Sequence, residues 1–81
     1  MLDIIPGKLY RIDGEGIASK WYLTDGSRND DLCGKIYRNS IFLLLDTFAD
    51  PFCIRLKILT DDGSIGWTYV HRSCIHEVAE P

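Results

Sequence analysis

The sequence contains little of what usually announces a chemistry. Its cysteines, Cys33, Cys53 and Cys74, are odd in number, widely spaced and never form a C-x-x-C pair, unlike the frameworks of small disulfide-rich secreted domains or paired-cysteine zinc sites. They read as reduced thiols, with Cys53 and Cys74 acting as small hydrophobes near the core. Lys and Arg never cluster: 9 basic residues are scattered among 12 acidic ones, and the formal charge of -3 disfavours nonspecific attraction to nucleic-acid phosphate. The longest apolar run, Ile41 to Leu45, falls far short of the roughly 20 residues that cross a bilayer. Met1 to Pro6 lacks the basic start and apolar stretch of a secretory signal. The expectation is a cytoplasmic protein that does not enter a membrane.

Catalytic and metal-binding patterns are equally thin. His71, Cys74 and His76 are potential ligands close in sequence, with Cys33 or Cys53 as a conceivable fourth, but they lack the paired short spacings of a structural zinc site. Asp25 to Asp31 is rich in carboxylates without the glycine and terminal glutamate of an EF-hand loop, so it reads as a solvated turn. Asp61 and Asp62 sit side by side at a hairpin tip, away from any cleft where a carboxylate pair would act. Cys74 and Ser40, Ser64 and Ser73 stand in no nucleophile elbow, and Gly14-Glu15-Gly16 lacks the further glycine and receiving helix of a phosphate loop. No metal, no cofactor and no enzymatic activity are expected.

What is present is the patterning of one small β domain spanning residues 1–81, a length that leaves no room for a second core or for a large buried cavity. Residues 1–6 form an entry segment, and residues 79–81 a fraying tail. Lys8 to Asp13 alternates as a first strand with Tyr10 and Ile12 inward, and Asp13-Gly14-Glu15-Gly16 carries turn chemistry with two glycines able to take positive φ. Ile17 to Leu23 is a second extended arm, with Ile17, Trp21 and Leu23 on its apolar face. The loop Asp25 to Asp31 follows, and the whole excursion from Asp13 to Lys35 is too long to be structureless, so its arms are expected to pair as an irregular hairpin. Ile36 to Leu45 reads as the central strand, covered on both faces and closed by Asp46 to Pro51. Phe52, Ile54, Leu56 and Ile58 then alternate with Cys53, Arg55, Lys57 and Leu59, giving one core face and one largely wet face. Asp62-Gly63 marks a tight hairpin turn into Ile65 to Val70, whose Gly66 fits a bulge or close packing under an aromatic ring. His71-Arg72-Ser73 reads as one 3₁₀ turn, and Cys74 to Val78 as a short closing strand.

At Asp62-Gly63-Ser64-Ile65-Gly66-Trp67, followed after a short turn by Ile75-His76-Glu77-Val78, the chain resembles the bacterial branch of the Src-homology-3-like barrels. The match covers the last third of the chain by motif and the first half by element order alone. It implies an all-β, five- to six-stranded antiparallel barrel with a long first excursion and a 3₁₀ turn before the last strand. It also implies a binding module, for proline-rich peptides in eukaryotic members and often for cell-wall peptide in bacterial ones. The chain departs from the eukaryotic pattern, since Tyr69 to Cys74 contains no proline and Cys74 stands near the family's tyrosine.

The residues most suggestive of function are aromatics that alternation does not assign to the core: Tyr22, Tyr37, Trp67 and Tyr69. Exposed together, they would make an amphipathic contact surface. The leading expectation is a small non-enzymatic protein-binding or assembly module, of the kind found among phage and bacterial accessory proteins, with a protein, a peptide or a second copy of itself as partner. The alternative is a nucleic-acid accessory factor that gathers Lys35, Arg38, Arg55 and Lys57 on one face.

Overall fold

The computed structural model describes residues 4–14, 19–29, 31–49 and 53–78. Strands β1 (Leu9–Ile12), β2 (Lys20–Thr24), β3 (Leu32–Tyr37), β4 (Ile41–Ala49), β5 (Cys53–Thr60) and β6 (Ile65–His71) are followed by a 3₁₀ turn (Arg72–Cys74) and β7 (Ile75–Glu77). All pair antiparallel in one sheet of order β3-β2-β6-β5-β4-β1-β7. Among the described residues no ladder joins β3 to β7, so hydrogen bonding does not close the sheet into a barrel. Nor does any helix there have the length and apolarity to cross a membrane.

Among the described residues there are seven strands, not five or six, for two reasons. The arms of the excursion pair along Lys20↔Tyr37 to Thr24↔Leu32 and join the sheet as strands in their own right. The segment Ile36 to Leu45 is not one strand, because a turn divides it at Asn39, whose φ of 69° is a left-handed conformation that Asn tolerates well. The closing turn expected at Asp46 to Pro51 also yields in part to strand, since β4 runs on through Asp46, Thr47 and Phe48 to Ala49.

Strand β5 is the middle of the sheet, paired along its length with β4 and β6. Its inward side chains, Ile54, Leu56 and Ile58, are almost wholly buried. They meet Phe42 and Leu44 of β4, Tyr10 and Ile12 of β1, and Leu23 and Ile36 of the hairpin in a single core. Tyr10 keeps its hydroxyl satisfied by accepting from the Ile5 N–H at 2.8 Å while its ring lies 6.1 Å from that of Phe42. The outward face of β5 is half-buried, not wet, because its neighbours' side chains lie against Arg55, Lys57 and Leu59. Conversely, the Ile41–Leu45 run is not covered on both faces: Phe42 and Leu44 are buried, whereas Ile41 and Leu45 are exposed.

Two register shifts decide which side chains face out. In β4, Leu44 pairs with Ile58 and Asp46 with Lys57, leaving Leu45 as an extra residue. An inserted residue reverses the facing of everything beyond it. Phe48 would otherwise follow Phe42 and Leu44 into the core; instead it stands opposite Arg55 on the outer face. In β3 the extra residue is Cys33, between Leu23↔Gly34 and Thr24↔Leu32, and it likewise turns Leu32 outward. The Cys33 thiol is directed at β6, donating to the Ile65 carbonyl at 3.4 Å.

The hairpin packs on β6 at Gly66, which lies under strand β2 and the Cys33 sulfur and not under an aromatic ring. A Cβ there would stand 2.9 Å from Cys33 Sγ, 2.9 Å from Leu23 Cβ and 3.0 Å from the Thr24 carbonyl oxygen. The turn from β5 to β6 is a three-residue loop in which Gly63 takes φ 89°. The Thr60 N–H donates to the Ser64 carbonyl at 2.8 Å, and the Asp62 carboxylate accepts from the Thr60 hydroxyl and the Ser64 N–H. Gly16, Ile17, Phe52 and the tail 79–81 lie outside the described residues. The 3₁₀ turn begins one residue later than its sequence signal, with His71 as its N-cap.

Asp13 ties the β3–β4 turn to the end of β1. Arg38 Nε donates to its carboxylate at 2.8 Å and Arg11 Nη1 at 3.3 Å, while Arg11 also reaches Asn39 Oδ1 at 3.0 Å. Hydrogen bonding from Arg38 is the largest influence lowering the Asp13 pKa below 3.8, opposed by desolvation and aided by Arg11. A carboxyl whose pKa is lower folded than unfolded stabilises the fold above its unfolded pKa and loses that effect as pH falls through the folded one. The Tm difference between wild type and Asp13→Asn should therefore be present at about pH 5 and close towards about pH 2. At Gly66, substitution by Ala should cost about 1–3 kcal/mol in denaturant unfolding, because backbone and Cβ atoms cannot move aside as a flexible side-chain end can. Adding Cys33→Ala should recover part of that loss, measured as a double-mutant cycle.

Candidate functional site

The outer face of β4, β5 and β6 is ordered by cross-strand register. One row reads Phe48, Arg55, Tyr69; the next reads Asp46, Lys57, Trp67, Thr24, Leu32; a third reads Leu9, Leu43, Leu59, Ile65. Side chains directly opposite in antiparallel strands stand about 5 Å apart at Cβ, so each row is a contact series. Phe48 is 70% exposed and Tyr69 60%.

Arg55 binds the first two rows together. Its guanidinium carbon lies 4.6 Å from the centroid of the Trp67 ring and 5.7 Å from that of Tyr69, distances at which ring quadrupoles attract the cation. Trp67 is half-buried and is also covered by the Asp25–Asp31 loop: Gly26, at φ 74°, lies so close that a Cβ would fall 2.5 Å from Trp67 Cδ1. The loop is held in that shape by the Asp25 N–H donating to the Asp31 carbonyl at 3.0 Å and by the Ser27 N–H donating to the Asp25 carboxylate at 2.8 Å. Hydrogen bonds from Ser27 are the main cause of a lowered Asp25 pKa, and the Thr60 hydroxyl is the main cause at Asp62.

Of the four aromatics singled out from sequence, Trp67 and Tyr69 are joined through Arg55 on β6. Tyr22 and Tyr37 lie on the β2–β3 hairpin, where they alternate with lysines: Tyr22 pairs with Lys35 and Tyr37 with Lys20, and Lys20 Nζ stands 5.5 Å from the Tyr22 ring centroid. Both tyrosines are exposed, and the registers turn them to the same face of the sheet as Trp67. Sequence reading missed Phe48, because the bulge that exposes it follows from pairing and not from composition. Arg55 stands out from the sequence only as a charge, although its place two residues from Lys57 on an alternating strand is a legible signal.

Of the four basic residues considered together, Arg55 and Lys57 share the outer face of β5 and Lys35 faces the same side on the hairpin. Arg38 is drawn away to Asp13. His71 Nδ1 accepts from the Ser73 N–H at 3.2 Å and lies 2.7 Å from its hydroxyl oxygen, while Cys74 is buried. No group of three or more His, Cys, Asp or Glu side chains converges among the described residues. Cys33 is exposed, Cys53 half-buried, and all three thiols are free.

Comparison of the chain with protein-family models, with curated proteins and with solved structures gives no match.

Gly26→Ala is strained both by its positive φ and by the indole beneath it, so it should cost more than about 1 kcal/mol. In a Trp21→Phe background, where only Trp67 emits, it should also shift the emission maximum. Phe48→Ala and Tyr69→Ala, by contrast, should each change unfolding free energy by no more than about 0.5 kcal/mol, as expected of exposed side chains with little part in the core.

Proposed function

We propose that this chain is a small non-enzymatic protein-binding or assembly module of Src-homology-3-like architecture, using the outer face of β4, β5 and β6. The observation that carries the reading is the cluster of Phe48, Arg55, Tyr69 and Trp67, with Phe48 turned outward by the Leu45 bulge. Large rings on paired strands offer contact area at little cost in conformational entropy. The architectural part is supported by the element order: a first strand, a hairpin excursion, three successive antiparallel strands, a 3₁₀ turn, and a short last strand paired with the first. In this reading the partner is a protein or peptide, including a second copy of the chain, and the setting is that of a phage or bacterial accessory protein.

A nucleic-acid accessory role is the second reading, favoured by Arg55 and Lys57 lying beside aromatic rings, a combination used by single-strand binders. It is weakened by the Trp67 ring, which is already contacted by Arg55 and by Gly26, and by the diversion of Arg38 to Asp13. Light scattering of the purified chain at low and high salt, with and without a short DNA, separates the two. The module reading expects a mass that DNA leaves unchanged at either salt. A monomer that takes up DNA at low salt and releases it at high salt would overturn that reading in favour of nucleic acid.

A further inference from the structure

We infer that the outward face of the β2–β3 hairpin is a contact between two copies of the chain, in which tyrosines of one copy meet lysines of the other. The inference rests on the protein-binding and assembly reading above, names a second copy as the partner, and places the contact on the hairpin. Three observations lead to it.

The first is a pattern. Along the hairpin the pairs Trp21↔Ile36 and Leu23↔Gly34 alternate with Lys20↔Tyr37 and Tyr22↔Lys35. Leu23 and Ile36 belong to the core, so the other two pairs face outward, and all four of their side chains are exposed. Each lysine therefore has one tyrosine beside it across the strands, about 5 Å away, and another along its own strand, about 7 Å away. The lysines hold one diagonal of this rectangle and the tyrosines the other. A half turn about an axis lying in the contact, parallel or perpendicular to the strands, lays the lysines of a second copy over the tyrosines of the first. No lysine then faces a lysine, which is the self-complementarity that a two-fold interface requires.

The second is the chemistry of the pair. An ammonium within about 6 Å of a ring centroid is attracted by the ring quadrupole, more strongly once water is excluded. The hairpin shows the attraction within one copy, where Lys20 Nζ stands 5.5 Å from the Tyr22 ring centroid. The third outward pair, Thr24↔Leu32, brings no carboxylate, so a facing hairpin offers these lysines rings and not acids.

The third is area. Tyr22, Tyr37 and Leu32 are 49, 56 and 67% exposed, and Tyr69 is 60% exposed. Antiparallel pairing at Thr24↔Trp67 sets Tyr22 and Tyr69, each two residues along its strand, at the same level, so the patch continues from the hairpin onto β6. Taking about 200 Å² for a whole large side chain, these four expose about 450 Å², and the alkyl stems of Lys20 and Lys35 extend it. Two such faces reach the roughly 1,000 Å² of total buried area that a biological interface should clear. Tyrosine is also among the residues enriched at such interfaces.

The test is sedimentation of the full chain from about 1 µM to about 1 mM at low and high salt, the range of weak association. The chain should pass from monomer to dimer, and high salt should not dissolve the dimer. Tyr22→Ala and Tyr37→Ala should each weaken dimerisation at least about tenfold, as at an interface anchor, with the circular dichroism of the fold retained. Lys20→Met/Lys35→Met keeps apolar stems and removes the charges, and it should weaken the dimer as well. Ile41→Ala, exposed on β4, should leave it unchanged. A dimer that withstands the Tyr22→Ala/Tyr37→Ala double variant would overturn the hairpin contact and leave the module reading intact. A dimer tightened by Lys20→Met/Lys35→Met would overturn the pairing of rings with cations. A chain that stays monomeric to about 1 mM would overturn the inference, and the module reading falls with it only if that monomer takes up oligothymidine at low salt.

Discussion

The close approach of β2 to β6 at Gly66 is the constraint on which the arrangement depends. β2 pairs with β6 through Thr24↔Trp67, and the neighbouring Leu23 occupies the space where a side chain on residue 66 would stand. That contact brings Leu23 and Ile36 of the hairpin into the core formed by β4, β5, β1 and β7. It also brings the 25–31 loop over the far face of β6, where Gly26 meets Trp67. One missing Cβ below the sheet and another above it let the same hairpin seal the core on one side and cover the indole on the other.

The bulges act on the opposite problem, which is how to expose an apolar ring on a strand whose other large side chains belong inside. A strand in regular register would send Phe48 inward with Phe42 and Leu44. The extra residue at Leu45 reverses the facing of the strand end, while Thr47 takes the inward place opposite Leu56. Cys33 does the same for Leu32. Exposed apolar side chains at these points follow from backbone register, and register is costly to change when one face of the strand is buried. The outward placement of Phe48 is therefore as firmly specified as the core itself.

Much of the fold was legible in the residues, and the failures share one cause. Strict alternation at Ile54, Leu56 and Ile58 gave the core face of β5, Tyr10 and Ile12 gave that of β1, and the Asp62-Gly63 pair gave the hairpin turn. The pairing of the excursion's arms followed from its length alone. Periodicity failed at Ile41 to Leu45, where consecutive apolar residues suggested cover on both faces. A run of that kind has two physical origins, a second layer of protein or an uncovered apolar surface, and the pattern is the same for both. Here Ile41 and Leu45 are exposed, so the run reports the outer face and its bulge together with the core. The site was legible to the same degree: Trp67, Tyr69, Tyr22 and Tyr37 could be named as spare aromatics, but the pairing that sets Phe48 opposite Arg55 could not.

Charge follows the same division between strand and loop. A cation on the outer face of a central strand is flanked by cross-strand neighbours, and the Arg55 guanidinium lies against the Trp67 and Tyr69 rings there. A ring attracts the guanidinium without cancelling its charge, as a carboxylate would. Asp13, by contrast, meets Arg38 and Arg11 directly, at 2.8 and 3.3 Å, and serves the fold. The arginines thus stand in two kinds of setting, Arg11 and Arg38 against a carboxylate at the end of β1 and Arg55 against rings on the outer face of β5.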